Sequence, residues 1–208
     1  QISLELEKEL CRHFNTSNVI LSPGAGQGNH LTWNAEVDGK PLFIRVENGP
    51  EKDAHLAVES VLLDRVRAAG VATPRVFGCD ASRSRVPFAW QALERVSAPD
   101  LNQWFKQGTL EVSKIAFEIG AAVAKWQAIT FEGFGVLDEG LRGYRTTYTD
   151  YFCLRLDEHL RFLTARGFLK NADEIRAEVE NHRSLLDLPQ GCLVHKDLAL
   201  WNILGTRD

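Results

Sequence analysis

The sequence predicts an α+β fold in two lobes. Residues 1–96 form an N-terminal antiparallel sheet with helices, and residues 97–208 form a mostly helical second lobe. Three observations predict this. Between Asn18 and Val46 apolar residues alternate in strand-like runs, two of them joined by Asp38-Gly39, a strong two-residue hairpin signal. From Asp100 onward apolar residues recur at helical spacing. Between these halves lies Glu94-Arg95-Val96-Ser97-Ala98-Pro99-Asp100, a short, polar, proline-containing stretch suited to a boundary.

The elements follow in order. Leu6, Leu10 and Phe14 lie four residues apart and predict a helix over Ser3 to Phe14. Asn18 to Ser22 is a short strand, and Pro23-Gly24-Ala25-Gly26-Gln27-Gly28-Asn29 is a glycine-rich loop. Leu31 to Val37 and Pro41 to Val46 are the arms of the Asp38-Gly39 hairpin. Asp53 to about Ala69 is helical, with Leu56, Leu63 and Val66 on one side and Glu59 near the middle. Gly70 caps it and Pro74 stops continuation. Arg75 to Asp80 and Val86 to Leu93 read as a further strand pair. Asp100 can cap a helix from Leu101 to Lys106, and Thr109 one that buries Val112, Ile115, Ile119, Val123 and Trp126. A loop from Phe131 to about Thr147 precedes a helix from Thr149 to Arg166, carrying Phe152, Leu156, Leu160 and Leu163. Asn171 with Glu174 resembles a capping box ahead of Ile175, Val179 and Leu186.

Composition narrows the class. The chain has 208 residues, 44% hydrophobic and 25% charged, enough for one substantial core or two small lobes. Its formal net charge of −4, without a basic block, argues against nucleic acid as a partner. No apolar run approaches the roughly 20 residues of a membrane span, and no signal peptide is visible. Cys11, Cys79, Cys153 and Cys192 are widely separated and read as reduced thiols, which with the missing signal points to a cytoplasmic protein. The sequence contains no methionine.

The chemistry concentrates near the end. In Leu193-Val194-His195-Lys196-Asp197-Leu198-Ala199-Leu200-Trp201-Asn202-Ile203-Leu204, apolar residues lead into a charged triplet and out past an asparagine. The pattern His-x-Asp-x-x-x-x-Asn matches the catalytic loop of kinases. There the aspartate takes the proton of the acceptor hydroxyl, and the amide oxygen five residues on reaches a metal at the phosphates. Strands at Cys192 to Val194 and Trp201 to Leu204 are expected to pin the loop, with His195 satisfying its backbone. The plain alternative is a buried hairpin with a solvated turn. The glycine loop lies between antiparallel strands, and position 29 is Asn where a dinucleotide fingerprint wants glycine, so a flap over phosphates fits better.

With these residues and this order of elements, the chain resembles the aminoglycoside phosphotransferase and choline kinase group of small-molecule kinases. The resemblance is carried by His195-Lys196-Asp197-Leu198 with Asn202, by Arg45 in Phe-Ile-Arg-Val, by Glu59, and by Gly26-Gln27-Gly28-Asn29. It implies a protein-kinase-like two-lobed fold. It also implies transfer of phosphate from ATP or GTP to a hydroxyl of a small molecule, such as an aminoglycoside, a choline-like compound or a sugar, with antibiotic resistance as one setting. Asp197 would be the catalytic base and Asn202 a ligand of Mg²⁺. Gly26, Gly28 and Asn29 would cover the phosphates. Arg45, where the family usually has lysine, would hold them while paired with Glu59. Glu94 and Val96 would meet the base through their backbone.

Two departures stand out. The family commonly has glycine where Lys196 stands, and it has a second metal-binding aspartate after the asparagine. Mg²⁺ takes near-octahedral oxygen coordination with one or two carboxylates. Asp208, six residues past Asn202, is expected to be a surface turn residue and not that ligand, and a continuation beyond residue 208 is expected to supply it. The alternative from another class is a nucleotide-binding pseudokinase or interaction module without transfer activity. A protein kinase is a weaker reading: Ala199 stands where such kinases carry lysine, and Pro99 to Val194 leaves room for the extra helices of small-molecule kinases. A hydrolytic metal site of His182, His195 and Asp197 has no supporting spacing.

Overall fold

The computed structural model describes residues 2–24 and 30–208. Its order is α1 (Ile2–Phe14), β1 (Val19–Pro23), β2 (His30–Val37), β3 (Lys40–Glu47), α2 (His55–Ala68), β4 (Val76–Asp80), β5 (Trp90–Glu94), α3 (Leu101–Lys106), α4 (Val112–Gln127), β6 (Thr130–Phe131), β7 (Phe134–Leu137), β8 (Gly143–Arg145), α5 (Tyr148–Cys153), α6 (Leu156–Ala165), α7 (Ala172–Asn181) and β9 (Gly191–Cys192). This is the expected α+β arrangement. Contacts divide the chain into one compact unit of residues 1–126 with 194–208 and another of residues 127–193. Residue 96, the sequence-derived lobe boundary, lies inside the first.

The first unit is built on a five-stranded antiparallel sheet in the order β1-β2-β3-β5-β4. Asp38 (φ 51°) and Gly39 (φ 79°) are both left-handed, as a tight hairpin turn of this twist requires. That turn pairs Val37 with Lys40 and hence Thr32 with Arg45. Alternation along β3 buries Leu42, Ile44 and Val46 and leaves Arg45 half-buried on the other face. The buried side joins Leu6 and Leu10 of α1, Val19, Ala35, Val37, Phe88, Trp90 and Ala92 in one core. At roughly 25 cal/mol per Å², each fully buried large aliphatic side chain here contributes about 2 kcal/mol. Helix α2 packs on β4 and β5 and brings Glu59 toward Arg45. It ends where Gly70 turns left-handed (φ 81°) and Val71 N donates to Val66 O at 3.2 Å, the closure glycine permits after a helix.

Strand β5 begins at Trp90, whereas alternation predicts Val86. Glu47 explains the late start. Its carboxylate accepts from Arg83 Nε at 2.8 Å, from Arg83 Nη2, and from Ala89 N at 2.8 Å. Arg83 also donates to the carbonyls of Ala81 and Asp53, at 2.8 and 2.6 Å. Pro87 has no N–H for a ladder, so the segment is held by these polar bonds instead.

Asp100 caps α3 as expected, accepting from Gln103 N at 3.0 Å. Thr109 does not cap α4. Its N–H donates back to Trp104 O at 3.1 Å and closes α3 around left-handed Gly108, so α4 starts later.

In the second unit β6 pairs with β9, and β7 with β8. The region read as loop from Phe131 to Thr147 therefore contains strands, all too short for an alternation signal. Gly133 (φ 76°) sits where a Cβ would lie 2.6 and 2.8 Å from the carbonyl oxygens of Gly143 and Arg145. The helix predicted from Thr149 to Arg166 is two helices. Thr147 caps α5 by accepting from Asp150 N at 3.1 Å, and the backbone turns at Arg155 before α6. Asn171 accepts from Asp173 N at 3.0 Å and donates to Glu174 at 2.9 Å, so the polar start of α7 forms as read.

Candidate active site

Arg45 owes its place to the hairpin. The register set at Asp38-Gly39 opposes it to Thr32 on one side, and β5 opposes it to Gln91 on the other. Its guanidinium pairs with Glu59 through Nη1, as the sequence predicted. The same nitrogen lies 3.4 Å from Gln91 Oε1, and Nη2 lies 3.1 Å from His30 Nδ1. Gln91 is fully buried. Sequence reasoning missed both Gln91 and His30. His30 was within reach: it is two residues from Thr32 on the same face, a diagonal neighbour of Arg45 once the hairpin is read. Gln91 had no such signal, because the pairing of β3 with β5 joins residues far apart in sequence.

Beside His30 lies an open cleft of about 370 Å³, with Glu47, Asn48, Glu51 and Asp53 among its walls. Its carboxylates make it a poor seat for a polyphosphate. Glu47 is held below the ordinary carboxylate range by its hydrogen bonds from Arg83. Gly26, Gly28 and Asn29 lie outside the described residues.

The loop from His195 to Asn202 is not pinned by the two strands expected at Cys192 to Val194 and Trp201 to Leu204, nor is it the hairpin turn of the alternative reading. Cys192 is in β9, paired with β6. Leu200–Asn202 is a 3-10 turn, and Leu204 alone bridges to Asp100. The reason is the partner available. Leu101 N donates to Ile203 O, Gly205 N to Pro99 O and Trp104 Nε1 to Gly205 O, at 2.9, 3.0 and 3.0 Å, so the loop's outgoing strand is held by the start of α3. The ring of His195 makes no hydrogen bond among the described residues. Its centroid lies 6.2 Å from that of Trp126.

Within the loop, Asn202 Nδ2 donates to Asp197 O and to Asp197 Oδ2, both at 2.8 Å. The five-residue spacing thus has a local use: the amide clamps the aspartate's backbone and one carboxylate oxygen. Asp197 Oδ1 and Asn202 Oδ1 are left for other partners. Lys196 has φ 67°, in the left-handed region. That accounts for the glycine common there in the resembling family, since a Cβ costs roughly 1–2 kcal/mol in this conformation.

Asn202 can offer Mg²⁺ one neutral oxygen. No group of three or more His, Cys, Asp and Glu side chains comes together among the described residues. One amide oxygen falls short of the carboxylates Mg²⁺ takes, so these residues by themselves do not make its site. Asp208 is exposed, and its main-chain oxygen accepts from Thr206 Oγ1 at 2.9 Å. Glu94 closes β5, its N–H donated to Arg75 O at 2.8 Å, and Val96 lies exposed just beyond. Among the described residues no helix is long and apolar enough to cross a membrane.

Comparison with known proteins agrees with this fold. The model of a family described as "Phosphotransferase enzyme family" matches residues 20–208. No curated protein matches the chain. The crystal structure of aminoglycoside phosphotransferase APH(4)-Ia is similar with a TM-score of 0.66 at 20% identity, covering 98% of this chain and 68% of that one. A thermostable mutant of that enzyme, in ternary complex with AMP-PNP and hygromycin B, is similar with a TM-score of 0.65 at 18% identity, covering 97% and 67%. Another, in ternary complex with ADP and hygromycin B, gives a TM-score of 0.64 at 18% identity over the same shares.

Proposed function

Because this chain belongs to the phosphotransferase enzyme family, we propose that it transfers the γ-phosphoryl group of ATP to a hydroxyl of a small polyhydroxylated molecule, with an aminoglycoside as the leading acceptor class. The observation that carries this reading is the clamp of Asn202 on Asp197, which holds one carboxylate oxygen and leaves the other for a substrate proton. AMP-PNP, ADP and hygromycin B in the similar structures support the choice of donor and acceptor. Choline-like compounds and sugars are the next acceptors to consider, and GTP the next donor.

In this mechanism the acceptor hydroxyl donates its hydrogen bond to Asp197 Oδ1. Its oxygen attacks the γ-phosphorus as the proton passes to the carboxylate. The bond from that phosphorus to the β–γ bridging oxygen breaks, and ADP leaves with the electron pair. Positioning and charge stabilisation supply most of the acceleration in such transfers. Arg45 bears on the phosphates, and Gly26, Gly28 and Asn29 cover them. The backbone at Glu94 and Val96 meets the base. Asn202 would contribute one ligand to a Mg²⁺ ion whose carboxylate ligands come from elsewhere. Residues 1–96 would act as the nucleotide lobe and 97–208 as the acceptor lobe, in a cytoplasmic enzyme.

The test is ATP consumption by the protein against a panel of aminoglycosides, choline and sugars, for wild type and Asp197→Asn. A positioned base is worth ~10²–10⁴ in rate. The variant should lose turnover by that factor and still bind AMP-PNP. Near-normal turnover by Asp197→Asn would remove the role given to Asp197. AMP-PNP binding with no acceptor phosphorylated would favour the nucleotide-binding module.

A further inference from the structure

His30 and Gln91 have no part in the mechanism above, yet both end on Arg45. Arginine only donates hydrogen bonds. The 3.1 Å contact between Arg45 Nη2 and His30 Nδ1 therefore makes Nδ1 the acceptor, and His30 the neutral tautomer protonated on Nε2. Its surroundings favour that state. Burial first, and the Arg45 charge second, hold the His30 pKa below its ordinary value; Glu59 and Asp53 pull the other way, and His55 adds to the lowering. Glu47 and Glu51 are further charges on the cleft that His30 lines.

Gln91 is oriented by a chain of donors. Ser60 Oγ donates to Leu56 O at 2.8 Å, so it can only accept from the Gln91 amide, 2.8 Å away. Gln91 Nε2 lies 3.3 Å from Leu56 O as well. A flipped amide would set Oε1 against that carbonyl. Oε1 must then face Arg45 Nη1, as it does at 3.4 Å.

We infer that His30 and Gln91 are positioning residues for Arg45. Among the described residues, they and Glu59 engage three of the five guanidinium N–H groups, which leaves two for the phosphate oxygens of the nucleotide. The inference rests on the reading that Arg45 meets those phosphates. A guanidinium held by three acceptors from β2, β5 and α2 need not be ordered when the nucleotide arrives. In the sequence His30 also follows directly on the glycine-rich segment that the proposed function assigns to the phosphates.

The experiment is calorimetric titration of the full chain with AMP-PNP and Mg²⁺, at about pH 8 and at steps down to about pH 4.5, well under the ordinary histidine value of about 6.5 because burial and Arg45 lower that of His30. His30→Ala should bind about tenfold more weakly at the higher pH, the size of one lost positioning contact, and the gap should narrow on acidification as wild type loses the same contact. His30→Asn places an oxygen near Nδ1 that cannot be protonated. It should match wild type at the higher pH and lose distinctly less affinity on acidification, nucleotide protonation being common to both. Gln91→Leu keeps the volume and should also bind about tenfold more weakly, its thermal transition reporting whether it folds. Should it not fold, the His30 variants decide. The inference is overturned if His30→Ala binds like wild type at about pH 8, or if His30→Asn loses as much affinity on acidification as wild type. Arg45→Ala separates the two levels. If it binds as tightly as wild type, the reading of Arg45 itself has failed. If it binds weakly while His30→Ala binds normally, only the positioning role is lost.

Discussion

In the first unit Leu42, Ile44 and Val46 are fully buried in a core with Trp90, Leu6 and Leu10. In residues 127–193 Leu160 alone, among the described residues, is buried, while Phe162, Phe168 and Leu185 are 54%, 77% and 70% exposed. Both regions carry an apolar periodicity. The difference teaches what periodicity means. It says which face of an element is apolar, not whether anything covers that face. A β3 residue has neighbours on both sides by register, and α1 closes the face. A helix face needs a second body that its own sequence does not describe.

The ion pairs follow the same division. Arg83 and Glu47 are 13% and 14% exposed and tie three segments together. Arg176 with Asp157 and Asp173, and Arg183 with Glu180, lie on exposed helix surfaces where such pairs contribute little.

Five variants would break or sharpen this comparison, read by chemical or thermal denaturation. Leu42→Ala should cost roughly 3–4 kcal/mol, and Leu160→Ala less than about half of that, because its surroundings can collapse or admit water. Equal costs would mean that residues 127–193 hold a core as firm as the sheet's. Glu47→Gln should cost on the order of 3 kcal/mol, since it leaves Arg83 largely buried and unpaired.

The same pair gives a pH dependence with a defined sign. The folded pKa of Glu47 is below its ordinary value of 4.5, so the unfolded chain binds more protons between the two values. The stabilisation is present above about pH 4.5 and is lost as pH falls through the lower folded value. Glu47→Gln should flatten that acid loss, and an unchanged acid limb would remove Glu47 as its source.

Lys196→Gly should stabilise by about 0.5–1 kcal/mol, the relief of a left-handed Cβ less the entropy that glycine loses on folding. A destabilised glycine variant would mean that the lysine side chain makes a contact worth more than the strain. Smallest of all, Arg176→Ala should leave the thermal midpoint within error. A clear fall would show that the exposed network on α6 and α7 carries weight that its solvation argues against.

Much of the site was legible beforehand. Asp38-Gly39 set the register that carries Arg45, and the Arg45–Glu59 pair follows from a strand and a helix that the pattern identified. Asp197 and Asn202 were read from spacing alone, and their hydrogen bonds are local to one loop. The strands expected on both sides of that loop were misread because their partners, β6 on one side and the start of α3 on the other, are far away in sequence. The break at Arg155 was hidden because helical spacing continues across it.

By itself the sequence determined what acts over a few residues. Turn conformations, helix caps, strand alternation and the spacing of Asp197 and Asn202 depend on backbone sterics and on hydrogen bonds within reach of a single turn. Tertiary structure decided what requires two distant segments to meet: Gln91 opposite Arg45, Arg83 inside the reach of Glu47, the α3 anchor of the loop that carries Asp197, and which apolar faces are covered. The physical reason is that burial and long-range pairing are properties of a pair of surfaces, and one stretch of sequence encodes only one of them.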